Sequence, residues 1–344
     1  MAVLAEGPGR AQVIGSGPNG VQPADLERAV GALTEAKLVA FPTETVYGLG
    51  ADASRAEAVA GIFAAKGRPT GHPLIVHMAD SSGLDRFGVE PSAMSVKLAN
   101  AFWPGPLTVV VNRSNAVAPE TVGGMSTVGL RVPDHPVALA LLRAFGGPIA
   151  APSANRFGSV SPTTAQHVLD DLGDRVDLVI DGGPAAIGVE STIVDVSGSE
   201  PLLLRPGGIS DVELEAVLGQ PVGTPVQGGL PDDAPDDVRA PGMLASHYAP
   251  SVPVELIEAD RVAGTLSAGT TAGLRLGVVG PCPVAHECSW PLPTDASGYA
   301  AGLYSSLRAA DRAGLDRLLV IAPTTGSLLP AVLDRLTKAA APTS

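Results

Sequence analysis

Apolar positions along the chain follow two rhythms, and glycine or proline separates them. One rhythm has helical spacing; the other is a short unbroken run of the kind that fills a buried strand. Leu26, Val30 and Leu33 recur at helical spacing over 23–36, behind Pro23. A strand is predicted over 38–41. Ser54 and Glu57 have the spacing of a capping box for a helix reaching Lys66, with Val59, Ile62 and Phe63 on its inner face and Gly67 as its stop. Further strands are predicted over 73–78, 107–111 and 128–132, the first carrying His77 and the last Arg131. A helix ends at Phe102-Trp103-Pro104-Gly105-Pro106, and another spans 136–145 with Pro136 in its first turn. The run 149–151 is short and apolar. Ser161 is placed to cap a helix with Pro162 at its first position, ending at Gly173. Strands follow over 176–180, 192–196 and 202–204, and Ser210 with Glu213 makes a second capping box.

From 219 to about 240 the pattern lapses into Pro, Gly and Asp, as in a solvated linker. It then resumes with strands near 252–257, 274–279 and 318–321 and helices near 296–312 and 327–339. That alternation predicts a second, smaller α/β unit with some parallel pairing. Residues 1–20, rich in Gly, Ala and Pro, are expected to be frayed.

Composition narrows the function classes. The chain has 344 residues, 45% hydrophobic but only 3% aromatic, so its core must be aliphatic and its length suits two domains. Net charge is −13 and no basic run occurs, which argues against broad contact with a phosphate backbone. Cys282, Cys288 and His286 fall short of a four-ligand metal site and read as ordinary residues of a reducing compartment. No apolar run approaches the ~18 residues of a membrane span. A soluble, cytoplasmic protein is expected.

The chemistry concentrates in a few stretches. Phe41-Pro42-Thr43-Glu44-Thr45-Val46-Tyr47-Gly48-Leu49-Gly50 sets hydroxyls and a carboxylate at a strand end. Lys66 and Arg68, in a Gly/Pro frame, suit a polyphosphate or simply complement a helix dipole. Arg131 in an apolar strand needs a partner, either a ligand carboxylate or a structural ion pair. His77 is by itself more often a satisfied core histidine. Ser153 and Asn155 follow a strand end, where open α/β sheets bind ligands. Gly188-Val189-Glu190-Ser191-Thr192 repeats the hydroxyl-and-carboxylate theme, and Arg205 repeats the cation in a Gly/Pro frame. Glu44 and Glu190 either act as a pair or tie down loops. No P-loop, dinucleotide fingerprint or nucleophile elbow is present.

In combination and in this order, these stretches, with Trp103-Pro104-Gly105-Pro106-Leu107-Thr108 and Ala151-Pro152-Ser153-Ala154-Asn155, resemble the Sua5/YrdC family of threonylcarbamoyl-AMP synthases. The resemblance is strong over about 20–215. Ala240-Pro241-Gly242-Met243 and His247-Tyr248-Ala249-Pro250 are similar to the long Sua5 form, and Asp334-Arg335-Leu336 is the best local match beyond 251. It implies a flexible 1–20, a YrdC-like twisted α/β domain around a large cavity over 21–218, a linker over 219–250 folding across the site, and a small Rossmann-like α/β domain over 251–344.

The implied reaction is L-threonine, bicarbonate and ATP, with Mg²⁺, giving threonylcarbamoyl-AMP and pyrophosphate. The product would pass to tRNA threonylcarbamoyl transferase proteins, without strong nucleic-acid binding by this chain. By the same resemblance Thr45, His77, Arg131, Ala151 and Ser191 would hold threonine, and Lys66, Arg68, Ser153, Asn155 and Ser161 would clamp the phosphates. Thr127, Arg205 and Tyr248 would add nucleotide contacts, as would His72, which stands where the motif often has Asn. No direct protein ligand to the metal is expected. The alternatives are a carbamoyltransferase that forms a carbamoyl adenylate, disfavoured by the two cysteines, and a non-catalytic RNA-binding module, disfavoured by the charge.

Overall fold

The computed structural model describes residues 11–17, 20–224, 241, 248–282 and 285–341. Among them, eleven strands join in one mixed sheet: β1 (Gln12–Gly17), β2 (Gly20–Val21), β3 (Val39–Phe41), β4 (Gly48–Asp52), β5 (Ile75–His77), β6 (Leu107–Asn112), β7 (Thr127–Arg131), β8 (Ile149–Ala150), β9 (Leu178–Asp181), β10 (Thr192–Asp195) and β11 (Leu202–Arg205). Their order is β11-β10-β6-β7-β5-β8-β4-β3-β9-β1-β2. Alternation along β3 and β9 builds a core on each face of the sheet. Val39, Phe41, Leu178 and Ile180 face one cluster, and Ala40 and Val179 face the other. Helices α1 (Pro23–Thr34) and α5 (Pro136–Phe145) cover the first face. The second is covered by α2 (Ala56–Lys66), α4 (Ala93–Phe102), α6 (Ala165–Leu172) and α7 (Asp211–Leu218), with the short α3 (Gly83–Phe87) beside them.

Three local expectations are corrected. Residues 12–17 are not frayed: β1 pairs in parallel with β9. Ser54 does not cap α2; it bonds the Asp52 carboxylate, while Arg55 is the N-cap without a side-chain bond and Glu57 pairs with Arg55. Ser161 does not cap a helix either. The helix starts later, at Thr164, whose hydroxyl accepts from the His167 amide, and the Ser161 hydroxyl goes to Glu190. In both serine cases the hydroxyl donates to a nearby carboxylate and the helix takes its cap from a later residue. The Ser210–Glu213 capping box and the left-handed Gly67 cap (φ 64°) are both present.

Strand β4 has no counterpart in the hydrophobic pattern, because Gly-Leu-Gly-Ala has weak strand propensity. Its glycines answer to packing: a Cβ on Gly50 would lie 2.8 Å from the Phe41 ring and 3.0 Å from the Val39 carbonyl.

The C-terminal unit is a parallel sheet of β12 (Val254–Leu256), β13 (Leu276–Gly280), β14 (Ser289–Pro291) and β15 (Arg317–Val320), ordered β12-β15-β13-β14. It carries α8 (Val262–Thr271), α9 (Ala296–Asp311) and α10 (Leu329–Ala340); β14 and α8 were not legible in the pattern. Helix α9 lies directly on the N-terminal unit. A Cβ on Gly188 (φ 82°) would meet the Ala300 carbonyl at 2.2 Å, and Val46, Val160 and Val189 share one apolar cluster with Tyr299, Leu303 and Leu307. Arg308 of α9 adds a fork onto Asp171, at 2.9 and 2.7 Å. Most of the expected linker lies outside the described residues. Among the described residues no helix is long and apolar enough to cross a membrane.

Candidate active site

Sheet register assembles the first half of the site. His77 and Arg131 are direct partners across β5 and β7, and His77 also faces Ile149 across β8. Proline 42 ends β3, and the Thr43 hydroxyl then accepts from the Thr45 and Val46 amides and donates to the Val46 carbonyl at 2.6 Å. This tight turn aims Thr45 at Arg131, whose Nη2 reaches Thr45 Oγ1 at 2.9 Å and Glu44 Oε1 at 2.6 Å. Nε of Arg131 donates to the Gly105 carbonyl. Among the described residues Glu44 Oε2 and His77 Nδ1 are buried without a hydrogen-bond partner. Burial, and then the charge of Arg131, holds the His77 imidazole down to about 3, so it is neutral near pH 7.

The second half is built from loops. Ala151 donates to the Ile75 carbonyl and Pro152 accepts from Leu49, which pins 151–152 between strand ends. Lys66 Nζ then donates to the carbonyls of Ser153 and Asn155, at 2.5 and 2.6 Å. Arg68, beyond the Gly67 cap, donates to the Pro73 carbonyl and lies over the Phe157 ring, 5.6 Å from its centre. Burial, with the charge of Arg205 adding to it, brings the Arg68 guanidinium down to about 10. Arg205 donates to Ser191 O, Ser191 Oγ and Pro241 O.

These pieces line one partly open cavity of about 50 Å³. Thr45, His77, Arg131, Ala151, Ser191, Arg68, Ser153, Arg205 and Tyr248 all line it, together with Thr43, Glu190 and Pro241. Five expected site residues are not in the lining. Lys66 and Asn155 stand behind it: the Lys66 ammonium is used on loop carbonyls, and Asn155 Nδ2 holds those of Arg156 and Ser159. Ser161 is likewise behind the wall, on Glu190. His72 packs edge-on against Phe157, and Thr127 starts β7 at the opposite end from Arg131.

Residues 31–207 match the Sua5–YciO–YrdC family, described as "Telomere recombination", and 209–341 match the "Threonylcarbamoyl-AMP synthase, C-terminal domain". The chain belongs to the Sua5/YrdC family. The threonylcarbamoyl-AMP synthase of Bacillus subtilis is 42% identical over 325 residues, 92% of each chain. That of Pyrococcus abyssi is 41% identical, over 90% of this chain and 92% of its own. The crystal structure of P. abyssi Sua5 complexed with L-threonine superposes with a TM-score of 0.87 at 39% identity, covering 96% of this chain and 97% of that one.

In this Sua5-type chain the C-terminal unit backs the cavity wall from behind. Glu190 accepts from Ser161 Oγ (2.6 Å), Tyr304 Oη (2.9 Å) and Arg335 Nε (2.8 Å). Burial pushes the Glu190 carboxyl up, but the charges of Arg335 and Arg205 outweigh it and hold the group at about 2. Tyr248, at φ 60°, stacks on Tyr304 and lies under the Arg335 guanidinium. Neither Tyr304 nor the role of Arg335 was foreseen. One cue existed: Arg335 interrupts the apolar stripe Val332, Leu336, Ala339, where a charge must find a buried partner.

Proposed function

We propose that this chain is an L-threonylcarbamoyladenylate synthase, joining L-threonine, bicarbonate and ATP into threonylcarbamoyl-AMP with release of pyrophosphate. The observation that carries the reading is the convergence of Arg68, Arg131 and Arg205 on one cavity. Among the described residues only Arg131 of the three has a carboxylate partner. Buried guanidiniums without counter-ions are costly, and an anionic ligand relieves that cost.

The lining divides by chemistry. Arg131 offers its remaining edge to a carboxylate, with Thr45 beside it. A neutral His77 with an open Nδ1 suits the hydroxyl or amine of the amino acid rather than its carboxylate. Arg68, Arg205 and Ser153 face the polyphosphate, and Tyr248 closes over the nucleotide. The threonine amine takes up CO₂ or bicarbonate as a carbamate, whose oxygen attacks the α-phosphorus while pyrophosphate leaves. Orientation and fixed positive charge do most of the work, and no covalent enzyme intermediate is needed.

Guanidiniums, hydroxyls, a neutral imidazole and a carboxylate committed to Arg335 do not make an oxygen cage for a divalent cation. Mg²⁺ therefore belongs to the ATP, on its phosphate oxygens. The product serves threonylcarbamoyl modification of tRNA, through separate transferase proteins, in the cytoplasm. The test is pyrophosphate release from ATP with each amino acid in turn, bicarbonate present, and mass detection of the adenylate. Threonine-independent turnover, or an adenylate lacking the carbamoyl carbon, overturns the reading.

A further inference from the structure

The wall of the cavity holds a contest between two arginines for one carboxylate. Glu190 and Ser191 are sequence neighbours, and Arg205 is bound to Ser191 through Nε (3.0 Å) and Nη2 (3.1 Å). The Glu190 carboxylate is thus within electrostatic reach of Arg205 as well as of Arg335. Arg335 already has a carboxylate partner of its own, Asp334 at 2.5 Å, so holding Glu190 gives it two, while Arg205 has none among the described residues. The structure gives it to Arg335, at 2.8 Å, with Tyr304 and Ser161 filling its other lone pairs. Arg205 is left with uncharged oxygens only: Ser191 O, Ser191 Oγ and Pro241 O.

We propose that Arg335 is a positioning residue for the nucleotide, holding Glu190 away from Arg205 and so keeping Arg205 open to phosphate. This rests on the ATP reading above. Arg335 is fully buried and does not line the cavity, so it acts through others. Its reach fits the task. Besides Glu190 it donates to the Pro206 carbonyl at 3.1 Å, one residue past Arg205, and its guanidinium lies 4.9 Å from the Tyr248 ring centre. Helix α10 of the C-terminal unit thereby fixes three parts of the nucleotide side of the wall. Without Arg335, Glu190 would be a buried carboxylate beside the cationic Arg205, and that pair would cancel the charge a phosphate needs.

The experiment measures ATP binding by calorimetry on the full-length wild type, Arg335→Met and the double variant Arg335→Met/Glu190→Gln, with circular dichroism confirming the fold. Arg335→Met should weaken ATP about tenfold or more. Adding Glu190→Gln, which leaves no carboxylate to capture Arg205, should bring affinity back to within about threefold of wild type. A single variant that binds ATP like wild type overturns the proposal. So does a double variant as weak as the single one, because then Arg335 only braces the wall. Should Arg335→Met not fold, Arg335→Lys replaces it; its ammonium cannot span Glu190 and Pro206 together, so the same loss and recovery should appear on a smaller scale. A wild-type chain that takes up no ATP overturns the functional reading first, and this inference with it.

Discussion

Nη2 of Arg131 lies 2.6 Å from Oε1 of Glu44, 87 positions away in the chain, and both side chains are almost fully buried. The pair turns the strand arginine into a fixed element of the cavity wall. Glu44 holds one corner of the guanidinium, Thr45 shares that corner, and Gly105 takes Nε. Of the two readings open to Arg131, a ligand carboxylate or a structural ion pair, the ion pair is present, and the paired cation also lines the cavity.

Removing Glu44 alone therefore strands a buried charge. Glu44→Ala should cost about 3–5 kcal/mol in urea unfolding. Replacing both partners, as Glu44→Leu with Arg131→Met, should recover most of that loss, because a buried pair contributes little net stability. Threonine-dependent turnover should stay absent in the double variant. Threonine turnover near wild type there would remove Arg131 from amino-acid recognition.

Arg68 presents the opposite balance. It is buried and within range of Arg205, and its hydrogen bonds go to neutral groups. Arg68→Ala should leave the melting temperature of the ligand-free chain within a few degrees of wild type, since it relieves burial of a charge. Pyrophosphate release should fall by about 100-fold or more, as one charge-assisted clamp on the phosphates is lost. Normal turnover in this variant would exclude the clamp.

Lys66 holds the loop through the Ser153 and Asn155 carbonyls. Lys66→Met leaves the Ser153 and Asn155 carbonyls without their donor, at a cost of about 2–4 kcal/mol. The turnover number should drop, because the backbone under Ser153 loosens. Unchanged thermal stability would contradict the staple.

The pH dependence of stability carries the signature of His77. In the folded chain it protonates only at about 3, against an ordinary value of 6.5. Between those values the unfolded chain binds a proton that the folded chain refuses, so stability falls as pH falls. The slope from this group reaches about 1.4 kcal/mol per pH unit. Glu190 acts in the same direction at lower pH: held at about 2 against 4.5, it contributes stability above 4.5 that is lost as pH falls toward 2. His77→Gln should remove about 2 kcal/mol from the stability difference between pH 7 and pH 5 in urea melts. An unaltered difference would mean that His77 titrates normally.

Much of the site was legible because it is local. Thr43-Glu44-Thr45, Arg68 and Ser153 follow, and Glu190-Ser191 directly precedes, a strand or helix that the hydrophobic rhythm marks, and loop ends of a mixed sheet are where polar side chains converge. Helix boundaries were less legible where serine had a choice. Ser54 and Ser161 both have cap spacing, and both bond a carboxylate instead.

The sequence by itself determined the strand and helix rhythm, the aliphatic core, the absence of a basic run and the order of the polar stretches. Those properties depend on near neighbours in the chain. Tertiary structure decided which polar group meets which. His77 faces Arg131 because β5 and β7 are in register. Glu44 reaches Arg131 across 87 positions, and Arg335 reaches Glu190 across 145. A buried charge is stable only beside a specific partner. That partner is set by how the sheet and the C-terminal unit close on each other, and local pattern carries no record of it.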